Sequence, residues 1–211
     1  MPRRPHGGEE SGPVRGRPNA SSVRAAQDVV EGAAQAGRAG GTRPAGQPDH
    51  FTTRTTGEPG GVPDGPSTLI RPGQKGEGRR SLERENLTAT LLAEMGYRVK
   101  QNPTAVEVAQ ARRVTGDDGD PNLNPDYLVE GRVFDCYAPG HLTSVRNVWT
   151  EVKKKVLRRQ TQRVVVNLQD WGGDLSALRT QFDDWPVEAL KEVKVVLPDG
   201  GIIQFIPNTR E

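Results

Sequence analysis

Cysteine is almost missing from this sequence. Cys136 is the single one in 211 residues, so no internal disulfide can form and the chain needs no oxidising compartment to fold. Long apolar runs are missing as well. Nothing approaches the ~18 consecutive apolar residues of a membrane-crossing helix, so no membrane-spanning segment is expected. The N-terminal Met1-Pro2-Arg3-Arg4-Pro5-His6-Gly7-Gly8 has no apolar stretch behind its charges, unlike a secretory signal peptide. Hydrophobic residues make up only 33% and the mean hydropathy is -0.70, too low for a chain that is globular throughout.

The shortage is uneven. Residues 1–80 contain 16 of the 25 glycines and 10 of the 17 prolines, but only one aromatic residue, Phe51. With no apolar periodicity, such a stretch buries too little surface to offset the entropy of ordering it. It is expected to be a disordered Gly/Pro-rich arm. It carries 12 Lys and Arg against 8 Asp and Glu, a mild basic excess that reads as a solvated tail or as a weak, salt-sensitive attraction to nucleic acid. Residues 81–211 hold every tryptophan and tyrosine and three of the four phenylalanines, and are expected to form one domain.

The elements of that domain follow from local pattern. A helix is expected over 81–95, capped by Ser81, with Leu82, Ala89 and Leu92 on one face and Gly96 beyond its end. A short strand follows at 97–101. Residues 102–124 read as a loop that allows a helical turn at 106–113. A hairpin spans 126–129 and 132–137 around Glu130-Gly131. A helix from Thr143 or Ser144 to about Arg159 precedes Arg163 to Leu168, an apolar run typical of a strand buried on both faces. A helix at 174–182 and strands at 193–197 and 202–206 complete the chain. The class is α/β: a mixed-sheet sandwich around one sheet.

Chemistry concentrates at the hairpin. Asp126 opens one strand and Asp135 lies on its antiparallel partner, so a tight turn can bring both carboxylates to one end of the sheet. Two oxygen donors side by side suit a hard divalent cation, Mg²⁺ foremost and Mn²⁺ as well, which would polarise a phosphodiester. The plainer alternative makes Asp126 a turn residue after Asn124-Pro125 and Asp135 the cap of a loop. Asp135 nevertheless sits in an apolar strand, Phe134-Asp135-Cys136, where an acid has to be satisfied by a metal or a lysine.

On the following helix, Val145, Val148, Trp149, Val152 and Val156 form an apolar stripe. Lys154 points away from it, while Lys155 and Lys153 flank it. Lys155, Arg159 and Gln160 are placed to look along the sheet towards the carboxylates. Lys155 is then a candidate for stabilising transition-state charge, with Arg159 and Gln160 as substrate-binding residues. The alternative is a solvated basic face. Glu85 lies on the apolar stripe of the first helix and needs a partner there. It either assists a metal or its water, or is a first-turn glutamate favoured by the helix dipole.

Pro125-Asp126, Asp135 and Glu85 resemble the PD-(D/E)XK nucleases. Here Tyr137 stands where their lysine usually does, and Lys155 would take its place. More closely, Arg84-Glu85-Asn86, Gly96-Tyr97, Asn124-Pro125-Asp126-Tyr127, Phe134-Asp135, Lys155-Val156, Gln160 and Arg163-Val164-Val165-Val166-Asn167-Leu168 resemble the C-terminal tRNA nuclease domain of contact-dependent growth inhibition toxins. The resemblance implies a metal-dependent nuclease toxin cleaving RNA, in particular tRNA, with Mg²⁺, Mn²⁺ or Zn²⁺ as cofactor. It further implies a cognate immunity protein, and action in the cytoplasm of the producing cell or of a target cell. A DNA-directed endonuclease and a non-catalytic nucleic-acid-binding module on the same fold are the alternatives.

Overall fold

The computed structural model describes residues 52–207. These residues hold six strands, β1 (Val99–Gln101), β2 (Tyr127–Val129), β3 (Arg132–Tyr137), β4 (Arg163–Asn167), β5 (Glu192–Val196) and β6 (Ile202–Ile206). They also hold four helices, α1 (Gly76–Glu94), α2 (Ala105–Thr115), α3 (Val145–Leu157) and α4 (Leu175–Asp184). The strands form one mixed sheet in chain order, β1 through β6. β1–β2–β3 pair antiparallel, β3–β4–β5 parallel, and β5–β6 antiparallel. The two parallel connections need crossover segments, and α3 and α4 supply them.

Alternation along β4 places its residues on two faces. Val164 and Val166 join Val148, Trp149 and Val152 of α3 and Leu178 and Phe182 of α4. Val165 joins Ala89 and Leu92 of α1, with Tyr127, Phe134 and Cys136. The sheet is thus covered by α1 on one side and by α3 and α4 on the other. Each fully buried valine or leucine contributes roughly 1.5–3 kcal/mol of apolar burial.

α2 replaces much of the loop expected over 102–124. Its start is a capping box: Thr104 Oγ1 accepts from Glu107 N while Glu107 accepts from Thr104 N, satisfying two otherwise orphaned donors. Its end is Gly116 in the left-handed conformation, φ 67°, which costs glycine little. Val108 and Ala111 of α2 pack on Val133 of β3.

The arm expected over 1–80 lies outside the described residues as far as 51. From residue 52 onwards the chain is part of the domain, so the boundary at 81 is corrected. Glu192, fully buried on β5, accepts from Thr53 N at 2.9 Å and Thr53 Oγ1 at 2.6 Å. Lys194 Nζ donates to Thr53 O at 2.9 Å. Thr56 N donates to Glu130 Oε1 at 3.0 Å. Asp64 bridges Lys100 of β1 in parallel, through Asp64 N to Val99 O and Gln101 N to Asp64 O, both 2.8 Å. This strap, residues 52–75, is held by backbone and buried charge rather than by an apolar stripe. α1 also begins five residues early and runs through Ser81. Its first turns are secured by Arg80, which donates to Ala138 O at 2.7 Å and to Asp170 at 2.9 Å.

Candidate active site

Asp126 and Asp135 are brought together by strand register. Tyr127 pairs with Phe134 across β2 and β3, so the next antiparallel pair outward is Asp126 and Asp135. β2 stops there while β3 continues alongside β4, where Asp135 pairs with Val164. The two carboxylates therefore lie at a fork in the sheet, on the side of α3. Cys136 N donates to Asp126 Oδ2 at 2.7 Å, and the Asp126 and Asp135 carboxyl groups are within hydrogen-bonding reach of each other.

Asp135 is 0% exposed. Its Oδ2 accepts from Lys155 Nζ at 2.7 Å, while its Oδ1 is buried and has no hydrogen-bond donor among the described residues. Such an orphan acceptor costs free energy unless something positive reaches it. Burial, then the charge of Asp135 and that of Glu85, pushes the Asp126 carboxyl well above the usual range. For Lys155, burial presses the pKa down, but the Asp135 carboxylate more than offsets it and the net direction is up. Lys155 is thus a firmly charged ammonium.

Glu85 reaches the same site from α1. Burial raises its pKa, the Thr68 hydroxyl that donates to Oε1 lowers it, and the charges of Asp135 and Lys155 act in opposite senses. The backbone carbonyl of Glu85 accepts from the buried Tyr127 hydroxyl at 2.5 Å, which ties α1 to β2 beside the carboxylates. Cys136 contributes no thiolate: burial pushes its pKa up to about 12.

The structure therefore assembles Glu85, Asp126, Asp135 and Lys155. It does not bring Arg159 to them. The chain leaves the helix after Leu157 and Arg159 adopts φ 58°, so the helical wheel no longer applies. Its guanidinium forks onto Asp118 at 2.6 and 3.0 Å. Gln160 stays beside the helix end, its N–H on Lys155 O and its carbonyl on Arg112. Lys154 pairs with Glu151 in solvent and Lys153 sits over the Trp149 ring. Thr68 and Asn102 escaped the sequence reading, one in the supposed arm and the other in a supposed loop.

Among the described residues no three His, Cys, Asp or Glu side chains are gathered into a cluster that could hold a metal ion. The aspartate pair nevertheless fits a hard cation of the Mg²⁺ type, which takes one or two carboxylates and completes its shell with water and substrate phosphate. The donorless Asp135 Oδ1, beside a second carboxyl group, is the observation that carries this fit.

The family model of the contact-dependent growth inhibition CdiA C-terminal domain matches residues 123–202, the stretch that contains Asp126, Asp135 and Lys155. A solved CdiA-CT/CdiI toxin and immunity complex from Burkholderia pseudomallei is similar at 35% identity and a TM-score of 0.59, over 70% of this chain and all of that one. The chain belongs to the CdiA C-terminal toxin domain family. Another relative in the family is the tRNA nuclease CdiA-2 of Burkholderia pseudomallei strain 1026b, 38% identical over 128 residues, or 61% of this chain. The chain spans only 4% of that relative's length, so the likeness concerns a small part of it.

Proposed function

We propose that this domain is a metal-dependent endoribonuclease toxin that cleaves tRNA, with an active site of the PD-(D/E)XK type. The observation that carries the reading is the register pair Asp126–Asp135, with one Asp135 oxygen on Lys155 and the other without a donor. The names of the two relatives, a tRNA nuclease and a toxin in complex with its immunity protein, support the substrate and a cognate immunity partner.

Asp126 and Asp135 would hold the divalent cation, which would supply the positive charge that polarises the scissile phosphodiester. Glu85 would orient the attacking water and accept its proton, a role suited to a carboxylate whose pKa burial has raised. Lys155 keeps N–H groups beyond the one on Asp135 and directs them at the phosphoryl oxygens as charge builds. Phosphate tracking is assigned to the basic end of α3, and Arg159 joins it only by leaving Asp118. Among the described residues no helix is long and apolar enough to cross a membrane.

The test is cleavage of total tRNA and of duplex DNA by the purified chain with Mg²⁺, Mn²⁺ or Zn²⁺, beside Asp135→Ala. Cleavage of tRNA that chelation and the substitution both abolish is expected. Undiminished cleavage by the variant would overturn the site. Cleavage of DNA alone would overturn the substrate, and no cleavage with any metal would overturn the enzyme reading.

A further inference from the structure

The Glu85 carboxylate sits on a half-buried side chain with three rotatable bonds. Among the described residues the Thr68 hydroxyl holds it. Thr68 lies in the strap, and its backbone is clamped to α1 twice, by Thr68 N to Asn86 Oδ1 at 2.8 Å and Asn86 Nδ2 to Thr68 O at 2.9 Å. Its hydroxyl accepts from Asn102 Nδ2 at 2.9 Å. The amide orientation of Asn102 is set by its other bond, Nδ2 to Pro66 O at 2.9 Å. A hydroxyl group has a single proton. With Asn102 donating to Oγ1, that proton goes to Glu85 Oε1. Asn102 N in turn donates to Asp126 O at 2.9 Å, so the same residue steadies both sides of the site. Asn102 holds φ 48°, a conformation asparagine and aspartate tolerate.

We propose that Thr68 is a positioning residue of the nuclease: its hydroxyl, polarised by Asn102, holds Glu85 Oε1 so that Oε2 faces the attacking water. The proposal rests on the reading of Glu85 as the water-orienting group. The strap is thereby a working part of the active site and not a covering.

The test is steady-state cleavage of tRNA by the full chain and by Thr68→Ala, Thr68→Ser and Asn102→Asp, with thermal melts of each. Thr68→Ala is expected to lower kcat on the order of tenfold, the scale of a small misplacement of a reacting group, with KM unchanged. Thr68→Ser restores the hydroxyl and is expected to restore kcat. Asn102→Asp keeps size and backbone tolerance but removes the donor, so the Thr68 proton turns away from Glu85 and kcat falls in the same way. In the Thr68→Ala background Asn102→Asp is expected to add little further loss. Wild-type kcat in Thr68→Ala, a loss confined to KM, or failure of serine to rescue would each overturn the role of Thr68. If Thr68→Ala does not fold, Asn102→Asp decides, and wild-type kcat there overturns it. A wild-type chain that cleaves no nucleic acid removes the nuclease reading and Thr68 with it, an outcome distinct from the others.

Discussion

Lys155 Nζ stands 2.7 Å from Asp135 Oδ2, with the lysine 20% and the aspartate 0% exposed. Among the described residues the ammonium is the one cation hydrogen-bonded to that carboxylate. Removing it leaves a buried acid facing only the Asp126 carboxyl group, and breaking a buried pair in this way costs about 3–5 kcal/mol. Lys155→Ala is therefore expected to lose cleavage and to unfold at markedly lower urea. Lys154→Ala, which breaks only an exposed pair with Glu151, is expected to change stability by less than about 1 kcal/mol. Equal effects of the two substitutions in urea titrations would contradict the structure.

Asp126 is in the opposite situation. Its folded pKa is raised, so it favours the fold below the usual carboxylate pKa and loses that contribution as pH rises. Without divalent cation, Asp126→Asn is expected to melt higher than wild type at pH 7.5, by about 1–2 kcal/mol of stability, with the gap closing towards pH 4. Added Mg²⁺ or Mn²⁺ is expected to raise the wild-type Tm by ligand linkage and to leave the variant unmoved. Calorimetry with and without chelator reads both.

Acid acts elsewhere. Burial tends to raise the Asp117 pKa, but Lys191 at 2.8 Å and the buried Arg163 outweigh it and the net direction is down. Asp170, on Arg84 and Arg80, and Glu107, at about 2 on Lys100 and the α2 cap, shift the same way. Groups lowered in the fold stabilise it above their unfolded pKa, about 4, and the benefit drains away as pH falls further. Stability is expected to drop steeply below about pH 4. In Asp117→Asn that acid limb should be shallower and neutral stability lower, since Arg163 and Lys191 lose a buried partner. Denaturant midpoints from pH 3 to 7 measure it.

The strap makes a prediction about length. A chain of residues 46–211 retains Thr53, Thr56, Asp64 and Thr68, whereas one of 81–211 loses them together with Arg80 and the first turn of α1. The shorter chain uncovers Glu192 and Lys194, each left short of a partner at about 1–3 kcal/mol. It is expected to be unfolded or inactive, while the longer one melts and cleaves like the full chain. An active, stable 81–211 fragment would show the strap to be dispensable.

The two aspartates and Lys155 were legible in the sequence because simple periodicities carry them: a hairpin register places one acid opposite the other, and a helical wheel selects the lysine. Glu85 was legible as a charge on an apolar face. Arg159 was misplaced because the wheel was extended past the helix end at Leu157. α2 was underread although Thr104, Glu107 and Gly116 spell out its two ends. The strap was illegible for a deeper reason. It is glycine- and proline-rich, and what holds it is a set of hydrogen bonds to Glu192, Lys194, Glu130 and Asn86, partners distant along the chain that no local pattern reveals.

That distance has a kinetic side. Thr53 and Glu192 are 139 residues apart, and closing so wide a loop comes late in folding. Thr68 is tied instead to Asn86 and Asn102, partners only 18 and 34 residues away, and these contacts do not wait for β5. The strap therefore has an early anchor beside Glu85 and a late one at Glu192.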